Sequence, residues 1–227
     1  MSQRRLLMIA SLAGLSALVV TMIGVRIVYT GNDYHTNLVW NLFLAWIPFV
    51  VAIWVYDGYR RGAGNVPLWA AGALWLVFFP NATYIVTDIK WLRYSAGAPL
   101  WYDVVLVAAA AWCGLLLGFA SLYMMQAVVR SALGTARAWV FVLAALALSS
   151  FGVYLGRFER WNSWDVFTRP RLLVQEVLPS LAHPQDHPKA VAVTVLFTAF
   201  LAMTYLVFYV FAHTSVIEAP ERVPRRR

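Results

Sequence analysis

Three short segments of the sequence gather the side chains that could do chemistry inside a membrane. In the first, FPNATYIVTDIKWLR, the residues Asn81, Tyr84 and Asp88 follow one another at positions i, i+3 and i+7. These positions share one face if the helix continues past Pro80, which could also end or break it. An amide, a phenol and a carboxylate on one face can hold a polar ligand, or they can cap and anchor a helix end at the interface.

The second and third segments add charges at the ends of apolar runs. Asp103 stands at the start of one run, in LWYDVV, where an acid also suits the helix dipole. The third segment, YLGRFERWNSWD, follows the end of another run. An aromatic belt with snorkelling arginines explains its tryptophans, but it explains Arg157 less well, because Arg157 lies directly against the apolar run. The candidate side chains of this segment are Arg157, Arg160, Asn162 and Asp165.

Opposite charges in these segments are expected to pair, because an unpaired, partly buried charge costs several kcal/mol. The acids are Asp88, Asp103 and Asp165, and the bases are Arg93, Arg157 and Arg160. Such pairs could form a structural network that locks helix ends. They could also form a pocket in which arginines donate bidentate hydrogen bonds to an anionic group such as a lipid headgroup. The predicted ligand-binding cluster comprises Asn81, Tyr84, Asp88, Asp103, Arg157, Arg160, Asn162 and Asp165.

The elements that must position these residues are transmembrane helices. Of the 227 residues, 62% are hydrophobic and 12% are charged, whereas a soluble domain is roughly half apolar and a quarter charged. The apolar residues come in blocks of the length that crosses a bilayer, about 20 residues. We therefore predict an all-α, polytopic membrane helix bundle that forms a single transmembrane domain over residues 1–227. Its predicted spans are 6–29, 38–56, 67–86, 102–128, 138–155 and 190–212, with a short amphipathic interfacial helix at 171–178.

The distribution of charge predicts the orientation of the bundle. Arginines dominate the segments on the side of the N-terminus, whereas most acids lie in the opposite segments. The positive-inside rule then places both termini in the cytoplasm and all three polar segments at an outer rim. The formal net charge of +8 is explained by this topology, so we expect no nucleic-acid partner. The expected surroundings are the lipid bilayer, with a bound lipid or a membrane protein partner as candidates.

Neither a metal site nor an enzyme motif is evident. The single cysteine, Cys113, lies in an apolar run and has no partner for a disulfide. His183, Asp186 and His187 resemble a ligand set, but the prolines among them disfavour a regular helix face and a fourth ligand is missing. The sequence contains no phosphate-binding loop, dinucleotide fingerprint, nucleophile elbow or zinc-protease motif. We expect no metal, and the sequence indicates no particular cofactor.

Four blocks of the sequence carry a family resemblance: WNLFLAWIPF, WLVFFPNATYIVTD, WYD and YLGRFERWNSWDV. They resemble the signature blocks of the bacterial membrane family known as domain of unknown function 1361, over residues 40–211. The resemblance implies a bacterial inner-membrane protein of several helices and implies no activity. The signature residues would be Asn41, Pro80, Asn81, Tyr84, Thr87, Asp88, Asp103, Gly156, Arg157, Trp161, Asn162 and Asp165.

Three functional hypotheses follow. The first is a non-enzymatic membrane protein whose outer rim binds a lipid headgroup, a small molecule or a partner subunit. The second is a small transporter, in which Pro48 and Pro80 break helices toward a cavity beside Asn41. The third is a membrane enzyme on a lipid-linked substrate, with Asp88 or Asp165 as base and Arg157 as anion clamp. A cavity that reaches the midplane would favour transport, and a groove open to lipid at the rim would favour lipid binding.

Overall fold

The computed structural model describes residues 3–94, 97–172, 175 and 184–213. Over these residues the chain is helical and contains no strand, so the predicted all-α architecture is confirmed. The α-helices are α1 (Gln3–Thr30), α2 (Asn37–Arg60), α3 (Asn65–Tyr84), α4 (Leu100–Leu133), α5 (Thr135–Tyr154), α6 (Asp165–Thr168) and α7 (Pro188–His213).

Six helices within the described ranges are long and apolar enough to cross a membrane. They are α1 to α5 and α7, where α3 and α5 are lengthened by tighter or wider turns at their C-terminal ends. The chain is thus a multi-pass membrane protein, and the bilayer is its environment. The predicted interfacial helix at 171–178 falls largely outside the described residues.

Short connections make neighbouring helices antiparallel. Gly134 alone joins α4 to α5, and its φ of 90° is a backbone conformation that other residues rarely adopt. Four residues, 61–64, join α2 to α3. One end of the bundle therefore carries Gln3, Arg60, Thr135 and His213, and we call it the terminal end. The opposite end, which we call the rim end, carries Thr30, Tyr84, Leu100 and Glu159.

Helix α4 lies at the centre of the bundle. It contacts α1, α2, α3, α5 and α7, and its central apolar stretch is 61% buried within the protein. The corresponding stretches of α1 and α7 are only 17% and 11% buried. Since their exposed side chains are apolar, these two peripheral helices must turn most of their surface toward lipid.

Two of the spanning helices become irregular where the polar segments begin. Helix α3 runs through Pro80 without ending there, reaches Tyr84 and tightens into a 3₁₀ helix over Ile85–Tyr94. Helix α5 widens into a π-helical turn over Leu155–Glu159, a feature that is frequent at functional sites. The π turn stops at Arg160, which adopts a left-handed conformation with φ 60°.

Replacing Arg160 with glycine should stabilise the protein by about 0.5–1 kcal/mol. A left-handed conformation costs a residue with a Cβ atom roughly 1–2 kcal/mol. Glycine avoids this cost, but its greater freedom in the unfolded chain offsets part of the gain in stability. The Arg160 side chain is exposed, so little packing is lost. Thermal unfolding in detergent measures the change. Arg169→Gly is the control, because Arg169 is also exposed but has a φ of −137°. A gain in stability there as large as that of Arg160→Gly would contradict the explanation.

Candidate functional site

An arginine of α1 forms a buried ion pair with the aspartate that opens α4. Arg26 donates from Nε to Asp103 Oδ1 at 2.7 Å and from Nη2 to Asp103 Oδ2 at 3.3 Å. The two side chains are only 1% and 0% exposed. This two-point geometry is the strong form of an arginine–carboxylate pair. It fixes the rim end of α1 against the start of α4.

Neighbouring polar groups complete this first cluster, which we call the Asp103 cluster. Arg26 Nη1 donates to Asn32 Oδ1 at 2.6 Å. His35 Nε2 lies 3.7 Å from Asp103 Oδ2. Burial lowers the pKa of His35 although the Asp103 carboxylate acts in the opposite direction. The lowered pKa favours the neutral imidazole. The charge of Asp103 is therefore balanced mainly by Arg26.

A second cluster surrounds Asp88 and joins three helices. Arg157 Nη2 donates to Asp88 Oδ1 at 2.7 Å, and Asn41 Nδ2 donates to Asp88 Oδ2 at 2.8 Å. Arg157 also donates from Nε to Thr87 Oγ1 at 2.8 Å. The Arg157 and Asp88 side chains are 7% and 1% exposed. This Asp88 cluster links α2, the 3₁₀ helix and the π turn after α5.

An aromatic contact positions Arg157 within this cluster. Its guanidinium carbon lies 4.1 Å from the centre of the Tyr84 ring, within the range of a cation–π interaction. The neighbouring Gly156 permits the approach, because a Cβ atom there would stand 3.2 Å from Tyr84 Cε2. Tyr84 and Asp88 of the first polar segment thus contact the same arginine, although the chain between them has left the α-helix.

A cleft of about 200 Å³ lies beside the Asp88 cluster, between α2, α3, the end of α5 and the loop that follows. Asn81 contributes to its wall and donates from Nδ2 to Ser163 Oγ at 2.7 Å and to the Phe78 carbonyl at 3.0 Å. Its polar and aromatic lining comprises Trp40, Asn41, Asn81, Tyr84, Trp161, Asn162 and Ser163. Its apolar lining comprises Leu44, Val77, Pro80, Leu155 and Val166, with Gly152 and Gly156.

The structure divides the residues that the sequence proposed as one site. Asn81, Tyr84 and Asn162 line the cleft, and Asp88 and Arg157 form the adjoining cluster. The other three candidates, Asp103, Arg160 and Asp165, lie apart from the cleft wall.

Each of these three has a different setting. Asp103 belongs to the separate cluster around Arg26. Arg160 is exposed and makes no ion pair with any residue that the structure describes. Asp165 serves a local turn, where its Oδ2 accepts the backbone N–H of Asn162 at 2.8 Å. Of the ion pairs expected among the three acids and three arginines, the structure shows one, Asp88 with Arg157. The Arg93 side chain lies outside the described residues.

The sequence interpretation overlooked several side chains of the two clusters and the cleft. Arg26 was not among the candidates, although it stands four residues before the end of α1 and is almost fully buried. A charge within an apolar run was the available signal, since such residues need a partner. Trp40 and Ser163 carried no comparable signal, because tryptophan and serine are common at membrane interfaces.

No set of three or more histidine, cysteine, aspartate or glutamate side chains within the described part of the chain is arranged to hold a metal ion. The arrangement is instead one of hydrogen-bond donors and acceptors around a small cleft.

Comparison with known proteins identifies the family. Residues 40–204 match the family described as "Protein of unknown function (DUF1361)". The matched region contains the whole cleft, the Asp88 cluster and Asp103, whereas Arg26 and His35 precede it. No curated protein and no solved structure matches the chain. The match confirms the resemblance seen in the sequence blocks and covers most of the chain, which therefore belongs to the DUF1361 family of proteins of unknown function.

Proposed function

We propose that this protein is a non-enzymatic membrane protein that binds the headgroup of a lipid or lipid-like amphiphile in the cleft at its rim end. The observation that carries the proposal is the change of polarity along the depth of the cleft. Asn41 and Asn81 are near the rim ends of α2 and α3, and Leu44 and Val77 stand about one turn deeper on the same helices. A ligand with a polar head and an apolar body matches this order.

The chemistry of the wall favours an uncharged, hydrogen-bonding headgroup. The polar groups that line the cleft are amides, hydroxyls and two indoles, supplied by residues such as Asn162, Ser163 and Trp161. The charges of the adjoining cluster, Asp88 and Arg157, are paired with each other. A hydroxyl-rich headgroup, such as a sugar, presents both hydrogen-bond donors and acceptors to side chains of this kind. The volume of about 200 Å³ is below the roughly 300–1000 Å³ of drug-sized pockets, so the cleft suits a headgroup rather than a whole lipid.

The state of the acids argues against the enzyme alternative. A general base must reach the proton that it abstracts. Both oxygens of Asp88 already accept hydrogen bonds, one from Arg157 and one from Asn41. Asp165 accepts bonds from its own turn. Neither carboxylate is arranged as the base that catalysis on a lipid-linked substrate would require.

The packing of the bundle centre argues against the transporter alternative. The cleft reaches Val77, about two turns from the end of α3, and does not continue further along the helix. Deeper in the bundle lie large side chains that are less than 2% exposed: Phe49, Trp75, Leu117 and Leu122. A bundle centre packed in this way supports binding of a ligand at one end of the protein rather than its passage across the membrane.

We also propose that the protein resides in a bacterial inner membrane with both termini in the cytoplasm. The terminal end carries several arginines in short connections or helix ends, which is the asymmetry that the positive-inside rule describes. They are Arg5, Arg60, Arg61, Arg130 and Arg137. The rim cleft would then face the outer leaflet.

The substitution Ser163→Trp should abolish most headgroup binding. A tryptophan at this position would fill the cleft and remove the acceptor of Asn81. The test is native mass spectrometry of purified protein incubated with a neutral glycosyl diacylglycerol, phosphatidylethanolamine or phosphatidylglycerol. We expect wild-type protein to retain one glycosyl diacylglycerol, and the variant to bind it about tenfold more weakly, which corresponds to about 1.4 kcal/mol.

The matched control is Arg169→Trp. Arg169 is an exposed residue of the same loop region that does not line the cleft. Its replacement should leave binding within about twofold of wild type. The proposal fails if wild-type protein retains none of the three lipids, or if both tryptophan variants bind them equally well.

A further inference from the structure

A second cavity opens at the terminal end of the bundle, at the opposite end from the rim cleft. Its volume is about 970 Å³, which is near the upper limit of the roughly 300–1000 Å³ typical of ligand pockets. Helices α1, α2 and α4 form its wall together with the first residue of the turn after α2. The charged side chains of the wall are Arg5, Asp57, Arg60, Arg61 and Arg130.

The charges of this wall are unbalanced. Four arginines stand against one aspartate, which leaves three positive charges in excess. Asp57 accepts from Arg5 Nη1 at 2.8 Å. The other three arginines form no ion pair with any residue in the described part of the chain. Like charges that line one cleft concentrate their field there and raise the local concentration of anions.

The donors of the wall are of the type that phosphate prefers. All four cations are arginines, whose planar guanidinium groups bind phosphate oxygens through two parallel hydrogen bonds. Arg5 Nε is buried and has no hydrogen-bond partner among the described residues. Arg130 is half-buried, and its Nη1 lies 3.5 Å from Tyr209 Oη, at the outer limit of a hydrogen bond. These donors gain from an anionic oxygen placed in the cavity.

Membrane orientation alone does not explain why these arginines converge. The positive-inside rule requires basic residues near the ends of spans and does not require them to share a cavity. Arg137 illustrates the difference, because it stands at the same end on α5, is exposed and does not line the cavity. We propose that the terminal-end cavity is a binding site for a phosphate-bearing group, carried either by an anionic lipid headgroup or by a soluble phosphate compound.

The experiment measures binding to the purified full-length chain in a neutral detergent by calorimetry. Inorganic pyrophosphate is the soluble probe, dioctanoyl phosphatidylglycerol is the lipid probe, and dioctanoylglycerol is the lipid control without phosphate. The substitutions are Arg60→Gln and Arg61→Gln, with Arg137→Gln as the matched loss of one charge at the same end. Arg60 and Arg61 are exposed at a helix end, so the fold should survive, and the thermal midpoint without probe verifies this.

Saturable binding of at least one phosphate probe is the expected result. Each of the two lining substitutions should weaken it about tenfold, whereas Arg137→Gln should change it by less than about twofold. Binding of pyrophosphate would identify a soluble phosphate compound as the ligand class. Binding of phosphatidylglycerol without pyrophosphate would identify an anionic lipid.

Three outcomes would overturn the proposal. The first is a folded protein that binds neither phosphate probe saturably. The second is binding of dioctanoylglycerol as tight as that of phosphatidylglycerol, which would mean that the acyl chains and not the phosphate are recognised. The third is a loss of binding in Arg137→Gln as large as in the lining substitutions, which would reduce the effect to overall surface charge.

Discussion

Replacing Arg26 with leucine should destabilise the folded bundle by about 3–5 kcal/mol. The reason is that Asp103 would remain buried without its cation, and breaking a buried pair from one side costs this much. Asp103 is 0% exposed, and both of its oxygens accept from Arg26. Thermal or detergent-induced unfolding, followed by circular dichroism, measures the loss.

The double variant Arg26→Leu/Asp103→Leu separates the charge from the packing. It leaves no buried charge, and apolar replacements of a whole buried pair are often neutral or stabilising. We therefore expect it to recover most of the stability that Arg26→Leu loses. If the double variant were as unstable as the single one, the cost would lie in the shape of the side chains and not in an uncompensated carboxylate.

The Arg5–Asp57 pair at the terminal end is the matched control. Its N–O distance of 2.8 Å is nearly the same as the 2.7 Å of the Arg26–Asp103 pair. Its side chains, however, are 18% and 32% exposed. Exposed pairs contribute about 0–1 kcal/mol, so Arg5→Leu should cost far less than Arg26→Leu. Equal losses of stability in the two variants would show that burial is not the reason for the large effect of the Arg26–Asp103 pair.

The helices were predictable from the sequence because the bilayer itself dictates them. Every span must be a long apolar stretch with satisfied backbone hydrogen bonds, so composition and block length suffice to count six. The course of the chain at Pro80 was not predictable in the same way. Whether that proline ends the helix depends on what packs against it, and here its ring lies in the space left by Gly152 of α5.

The pairing of charges depended on which helices are neighbours, and the sequence does not contain that information directly. Asp103 could have paired with any arginine of the rim, but α1 lies next to the start of α4, and this brings Arg26 to it. The π turn had a similar effect on the third segment. It changes the rotation per residue after Tyr154, so α-helical spacing cannot indicate which way Arg157 and Trp161 face.

The second large effect should come from Gly114→Ala in α4. A Cβ atom at this position would stand 2.6 Å from the backbone oxygen of Ala82 and 2.9 Å from Ile85 Cδ1. A backbone oxygen cannot rotate away, so α3 and α4 must move apart. Overpacking in a tight interface costs about 1–3 kcal/mol and sometimes more, and small residues are what allow membrane helices to approach this closely.

The same displacement should weaken headgroup binding at the rim, because α3 carries cleft residues on its other side. There, a Cβ atom at Gly152 would lie 2.8 Å from Pro80 Cγ, so α3 is held between two glycine-bearing helices. A shift of α3 would move Asn81 and Tyr84 relative to the rest of the cleft. Native mass spectrometry with the glycosyl diacylglycerol should therefore report weaker binding, beside a lower thermal midpoint.

Gly14→Ala provides the control for this prediction. Nothing lies within 4 Å of a Cβ atom at Gly14, which is in the lipid-facing helix α1. Alanine is the better helix former by about 0.5–1 kcal/mol, so this variant should be as stable as wild type or slightly more stable, with unchanged binding. If Gly114→Ala behaved like Gly14→Ala, the close approach of α3 and α4 would not be what holds the rim residues in place.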